Sequence, residues 1–125
     1  MNKARGFTLV ELMVTLIVVA ILMAIAIPTY RQSVIKSNRR AAQAVMMELI
    51  SRQEQYFVAN RVYATKAELN YNLPPEVDAN YEYDFAIDAG PPPSVTVDFT
   101  AEGGQAGDGD LSVSTLGTKT PSDKW

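Results

Sequence analysis

The chain has no cysteine and no histidine among its 125 residues. Without cysteine there is no disulfide, no thiolate metal site, no cysteine nucleophile and no lipid-modified cysteine. Exported domains without disulfides are ordinary, so this absence does not fix the compartment. Without histidine, the commonest metal ligand and general base is missing. No glycine-rich phosphate-binding motif is present. Paired acids such as Glu82 and Asp84 sit on the polar side of an alternating run, where alternation alone explains them. Catalysis has little to stand on, and no metal or other cofactor is expected.

Positive charge is scarce in the second half. Residues 67–125 hold two basic and eleven acidic side chains, whereas residues 1–66 hold nine basic and three acidic. The net charge of −3 therefore hides a basic stem and an acidic head. At this length the chain forms one domain at most, with a modest core.

Charge of either sign is nearly absent from Phe7 to Ile27, where Glu11 is the single charged residue in 21. As a helix rising about 1.5 Å per residue, this run spans roughly 30 Å, one hydrocarbon core. Three readings are open: an uncleaved membrane anchor, a secretory signal peptide with Ala24-Ile25-Ala26 as its cleavage site, and a buried core helix. The run is long for a signal peptide, and the remaining chain is small to surround a core helix. A carboxylate within such a run costs on the order of 2.5–3.5 kcal/mol, so Glu11 needs a partner. The basic residues do not set the orientation. Lys3 and Arg5 lie before the run, and Arg31, Lys36, Arg39 and Arg40 lie after it.

Pro28 lacks an N–H and crowds the preceding turn, which predicts a kink. The helical pattern then resumes. Ile35, Ala42, Leu49 and Tyr56 recur every seven residues, with Val45 and Ala59 on the same stripe. No glycine or proline interrupts Thr29 to Asn60. The pattern predicts one helix from Phe7 to about Asn60, apolar all round in its first half and amphipathic in its second. Thr65 followed by Glu68 predicts a short capped turn, ended by Leu73-Pro74-Pro75.

From residue 81 the period changes to two. Tyr81, Tyr83, Phe85 and Ile87 form one half-buried strand, Val95, Val97 and Phe99 a second, and Leu111 and Val113 a third. Short turn-rich links favour an antiparallel meander, whose apolar face the helix stripe covers. Trp125 is expected to pack locally, and Asp108-Gly109-Asp110 reads as an acidic turn rather than a calcium loop.

The stretch Lys3-Ala4-Arg5-Gly6-Phe7-Thr8-Leu9-Val10-Glu11-Leu12 resembles the class III signal peptide of type IV pilins and pseudopilins. The resemblance implies cleavage between Gly6 and Phe7 by a prepilin peptidase and N-methylation of Phe7. It puts Glu11 where the family carries its assembly glutamate and Pro28 where pilins bend. More weakly, Tyr56-Phe57, Asn60-Arg61, Tyr63-Ala64, Gln105-Ala106-Gly107-Asp108 and Gly117-Thr118-Lys119 resemble PilE-type minor pilins. Such proteins usually close the last loop with two cysteines. This chain lacks them, and an Asp110–Lys124 ion pair is the substitute expected, at about 0–1 kcal/mol against roughly 2–4 for a disulfide.

The family implies an α+β ladle fold: a long kinked helix packed on a three- to four-stranded antiparallel sheet. Residues 1–6 are the expected leader and 7–28 the membrane and filament-core helix. Residues 29–125 are the head, with helix 29–60 and a sheet at about 80–117. The implied function is that of a minor pilin in a type IV pilus, serving assembly and hence twitching motility or adhesion. A type II secretion pseudopilin and a DNA-uptake pilin are the alternatives. The partners are other pilins, the prepilin peptidase, the inner-membrane assembly machinery and membrane lipids. Before assembly the subunit is a single-pass inner-membrane protein. Afterwards it lies in a surface pilus or periplasmic pseudopilus. Arg31, Lys36, Arg39 and Arg40 suit lipid headgroups, acidic neighbouring heads or nucleic acid, and equally a solvated face. The acidic head argues against nucleic acid.

Overall fold

The computed structural model describes residues 6–125, so Lys3 and Arg5 of the leader lie outside the described residues. The chain forms two compact units, Met1–Val34 and Ile35–Trp125. Helix α1, Leu9–Asn60, contributes 52 residues and enters both.

In the first unit every described side chain is exposed. Leucine, isoleucine, valine and methionine surround the helix as far as Ile27, and Arg31, Gln32 and Ser33 follow on its surface. The helix continues through Pro28, which offers no amide to the carbonyl of Ala24.

In the second unit α1 turns Ala42, Val45, Met46, Leu49, Ile50 and Gln53 inward. The spacings of three and four place them on one face. They meet a four-stranded antiparallel sheet ordered β1-β2-β3-β4. Its strands are β1 Tyr81–Asp88, β2 Ser94–Ala101, β3 Leu111–Ser114 and β4 Lys119–Thr120. Tyr83 faces Phe99, and Phe99 faces Leu111. Phe85, Val97 and Val113 make the next row. These rows and the helix face form one core, with Phe99 fully buried and its ring 6.0 Å from that of Tyr81. Burying each large apolar side chain stabilises the unit by about 1.5–3 kcal/mol.

The α+β class, the helix end at Asn60 and the three strands match the sequence reading. β4 is the short fourth strand. Ile35 and Tyr56 are only half-buried, and Ala59 is exposed, because the inward stripe is confined to Ala42–Gln53. Ile87 is exposed too, because burial on the inner face of β1 fades from Tyr81 and Tyr83 through Phe85 towards the end of the strand.

The connection between α1 and the sheet is held by polar groups. Gln53 is buried, and its amide donates to Ala64 O at 2.7 Å and accepts from Ala64 N at 2.9 Å. Both of its polar ends are thereby satisfied. Helix α2, Lys66–Leu69, starts with a capping box between Thr65 and Glu68, as the sequence predicts. It ends at Asn70 in the left-handed conformation (φ 43°), before the prolines. Pro74-Pro75 does not end that turn but starts another, α3, Pro75–Asp78. A proline in the first helical position loses nothing by lacking an N–H.

Candidate functional site

Two places gather residues of functional chemistry, one in each unit. The first is the start of α1. Gly6 is exposed, and a Cβ there would meet nothing within 4 Å. Phe7 is 80% exposed. The backbone on both sides of the Gly6–Phe7 bond is therefore open. Thr8 precedes the first helical residue and Glu11 is the third. The Glu11 carboxylate accepts from Thr8 N at 2.9 Å and from Thr8 Oγ1 at 2.8 Å. Thr8 Oγ1 in turn accepts from Glu11 N at 3.2 Å. This is a complete capping box. It answers the need of Glu11 for a partner within its own first helical turn, where the helix dipole also favours negative charge. Thr8 was not among the expected residues. Its signal was present, since Thr-x-x-Glu before an apolar run is the same signature that marks Thr65 and Glu68. Further along, Thr15 Oγ1 donates to Glu11 O and Thr29 Oγ1 to Ile25 O, so both hydroxyls find acceptors within the apolar run.

The second place lies where α1 meets the 3-10 helix Gly103–Asp108 and the tail. Arg39 binds Asp108 through two hydrogen bonds of 2.7 Å, with the side chains 18% and 10% exposed. Such a fork-to-carboxylate pair is geometrically specific. Buried Gln105 donates to Ile35 O at 3.0 Å and to Asp108 Oδ2 at 3.2 Å. Gln43 donates to Lys124 O at 2.7 Å, tying the tail to the helix. Trp125 packs against the core, its Nε1 donating to Thr120 O, with Lys119 Nζ 4.9 Å from the ring centroid.

Two expectations change here. Asp110 does not pair with Lys124. Its Oδ1 accepts from Ala101 N at 2.9 Å, closing the loop after β2. The last loop is instead fastened by Arg39–Asp108 and Gln43–Lys124, side chains on α1 that reach across from another element. Arg39 is accordingly not part of a free basic face, unlike Lys36 and Arg40, which are exposed. Both oxygens of Asp108 accept from Arg39, and Oδ2 also accepts from Gln105.

A long helix with an uncovered apolar start and a small antiparallel sheet packed on its second part define a pilin-type α+β protein. The comparisons give the family. Residues 1–27 match the prokaryotic N-terminal methylation motif. Residues 28–112 match the family described as type IV minor pilin ComP, DNA uptake sequence receptor, and the chain belongs to that family. It is similar to the type IV wide pilus major component PilA4 of Thermus thermophilus, 32% identical over 65 residues, covering 52% of this chain and 50% of the relative. It is also similar to the type IV major pilin protein PilA of Myxococcus xanthus, 33% identical over 88 residues, covering 70% of this chain and 40% of the relative. The matches thus span half or less of the length of these curated relatives.

Proposed function

We propose that the chain is a minor subunit of a type IV pilus, structural rather than catalytic. Residues 1–6 are the leader, removed between Gly6 and Phe7 by a prepilin peptidase. Phe7 becomes the methylated N-terminus. Residues 7–28 anchor the subunit in the inner membrane and later pack with other pilins in the filament, and residues 29–125 form the head. The observation that carries this reading is the fully exposed apolar surface of the first unit beside a head with its own core. In water such a surface is costly. Lipid tails or sister helices remove the cost.

Glu11 has the registry role. Cleavage after Gly6 frees an amine at Phe7, one residue before the Thr8 amide that Glu11 already binds. The carboxylate then meets an ammonium of its own chain or that of a neighbouring subunit. The Glu11→Ala variant is expected to be processed and inserted normally, by N-terminal mass, and to enter filaments at least ten-fold less. Normal incorporation would falsify the registry role.

A second reading, a DNA-uptake pilin, is favoured by the family matched over residues 28–112. Deletion of the gene separates the readings. Loss of twitching marks the pilus, loss of exoprotein release a type II secretion pseudopilus, and loss of transformation alone a DNA-uptake role.

A further inference from the structure

The head, residues 35–125, carries eight basic and thirteen acidic side chains, a net charge of −5. The signs are not mixed evenly. Lys36, Arg39, Arg40, Gln43, Lys124 and Trp125 line one groove of about 380 Å³, without an Asp or Glu in its lining. Lys119, in β4, borders it through its contact with the Trp125 ring. Arg39 is neutralised by Asp108, whereas Lys36, Arg40, Lys119 and Lys124 have no carboxylate in ion-pair contact among the described residues. A second concavity, of about 460 Å³, has the opposite character. It lies between β1 and the segment joining α1 to the sheet, and its lining includes Asp78, Glu82, Glu102, Asn70 and Asn72. The basic residue in that lining, Lys66, is already engaged. Its ammonium donates to Tyr83 O at 2.7 Å and stands 3.8 Å from Glu82. Asp78 and Glu102 are exposed and, among the described residues, meet no cation. The walls are fixed, since Tyr83 Oη donates to Tyr71 O at 2.7 Å and Glu102 N to Asn80 O at 2.8 Å.

We propose that the basic groove of one copy docks side by side on the acidic pocket of a second copy, with Lys36 and Arg40 set against Asp78 and Glu102. The contact rests on the pilin reading and deepens it. Burial of the apolar helices drives polymerisation, and the heads select the neighbour and its orientation. The sheet order carries the argument. The pocket borders β1 and the groove borders β4, the two margins of the sheet. Three strand spacings of about 4.8 Å separate those margins, so one chain cannot join its own groove to its own pocket. Groove on groove, or pocket on pocket, would oppose like charges, which suppresses a pairing. Groove on pocket brings opposite signs together. A heterologous contact of this kind leaves a free groove at one end and a free pocket at the other, and so repeats without closing. The chemistry of the two also matches. Carboxylates accept from a guanidinium through paired hydrogen bonds, and the carboxamide oxygens of Asn70 and Asn72 can accept from further N–H groups. Lys36 and Arg40 are exposed and one helical turn apart, so both project from the same side of α1 towards one pocket.

The absence of native cysteine makes disulfide trapping the test. Ser37, exposed beside Lys36, and Asn72, at the pocket, are changed to cysteine in separate full-length chains, one of them carrying a size tag. The two are mixed in phosphatidylcholine liposomes and oxidised. The mixed product is expected at about five-fold or more over either symmetric product. K36E/R40E in the first chain, or D78K/E102K in the second, should reduce it about ten-fold, and combining the two reversed chains should restore it to within about two-fold. Glu82 is left in place because it faces Lys66. If a reversed head loses its near-ultraviolet circular dichroism, K36Q/R40Q and D78N/E102N take its place, and each should still reduce the product about three-fold. A chain carrying both cysteines should give a ladder of trimers and longer products. Symmetric products as abundant as the mixed one, a mixed product indifferent to these charges, or products that stop at the dimer would each overturn the contact. So would loss of the mixed product when phosphatidylglycerol replaces part of the phosphatidylcholine, which would assign the groove to lipid headgroups. N-terminal mass and filament entry of the same chains report on the pilin reading separately. Processed, incorporated chains without the mixed product would sink the head contact alone, and chains neither processed nor incorporated would sink both.

Discussion

Residues 9–27 and residues 35–60 belong to one helix, yet they solve opposite problems. The first stretch is apolar on every side and buries none of it. The second has a single inward face, Ala42 to Gln53, and covers it with the sheet and the segment that leads to it. Apolar content alone therefore does not mark a core. What marks it is periodicity, because only a one-sided stripe can be satisfied within the chain. An all-round apolar surface has to be satisfied by its surroundings. The head can hold its shape as an individual, whereas the anchor is completed only by lipid or by other helices.

The sharpest way to break this contrast is to truncate one side chain in each half. Phe99→Ala should lower the unfolding free energy of the head by about 3–5 kcal/mol. Ile17→Ala should leave it within about 0.5 kcal/mol. Denaturation in detergent followed by near-ultraviolet circular dichroism reports chiefly the head, where Tyr81, Tyr83 and Phe99 are buried while Phe7 and Tyr30 are exposed, and an equal loss in both variants would erase the distinction.

A smaller effect tests whether the head depends on its polar fastening as well as its core. Arg39→Ala leaves Asp108 nearly buried without its counter-charge, at a cost of about 3 kcal/mol. Arg39→Lys should recover only part, because a single ammonium cannot reproduce the two-pronged contact. The Arg39→Ala/Asp108→Ala pair should be less destabilised than the sum of the single variants. Strict additivity, by urea unfolding, would mean that the two do not act together.

The smallest effect concerns pH. Burial, and then the Asp84 carboxylate opposite, push the Asp98 carboxyl above its ordinary range. The folded head therefore holds this proton more readily than the unfolded chain. The stability it contributes is full in acid and is lost as pH rises through the carboxylate range. Asp98→Asn should stabilise the head by under about 1 kcal/mol at neutral pH. Melting curves of the two proteins should converge in acid, and a gap that widens there would reverse the sign.

Much of this was legible in the sequence for identifiable reasons. The period of seven from Ile35, right at Ala42 and Leu49 though only half-buried at its ends, the period of two from Tyr81 and the Thr65–Glu68 cap are local patterns, and local patterns survive without coordinates. Long-range partners do not. Nothing near Arg39 announces Asp108, 69 residues away, and nothing near Asp110 announces that it accepts from Ala101 N rather than pairing with Lys124. Pro74-Pro75 shows another limit, because proline both ends and begins helical turns. Thr8 shows a third. The charge of Glu11 within an apolar run drew notice to itself, while the hydroxyl three residues earlier already answered it.

The sheet order has one more consequence. Its two open margins are β1 and the two-residue β4. Glu82, Asp84 and Asp88 punctuate the first, and Pro121 cuts off the second. Margins so short or so charged resist strand-by-strand annealing with another molecule. Amyloid-like stacking is thereby disfavoured, and under the proposed pilin function polymerisation is left to the helix.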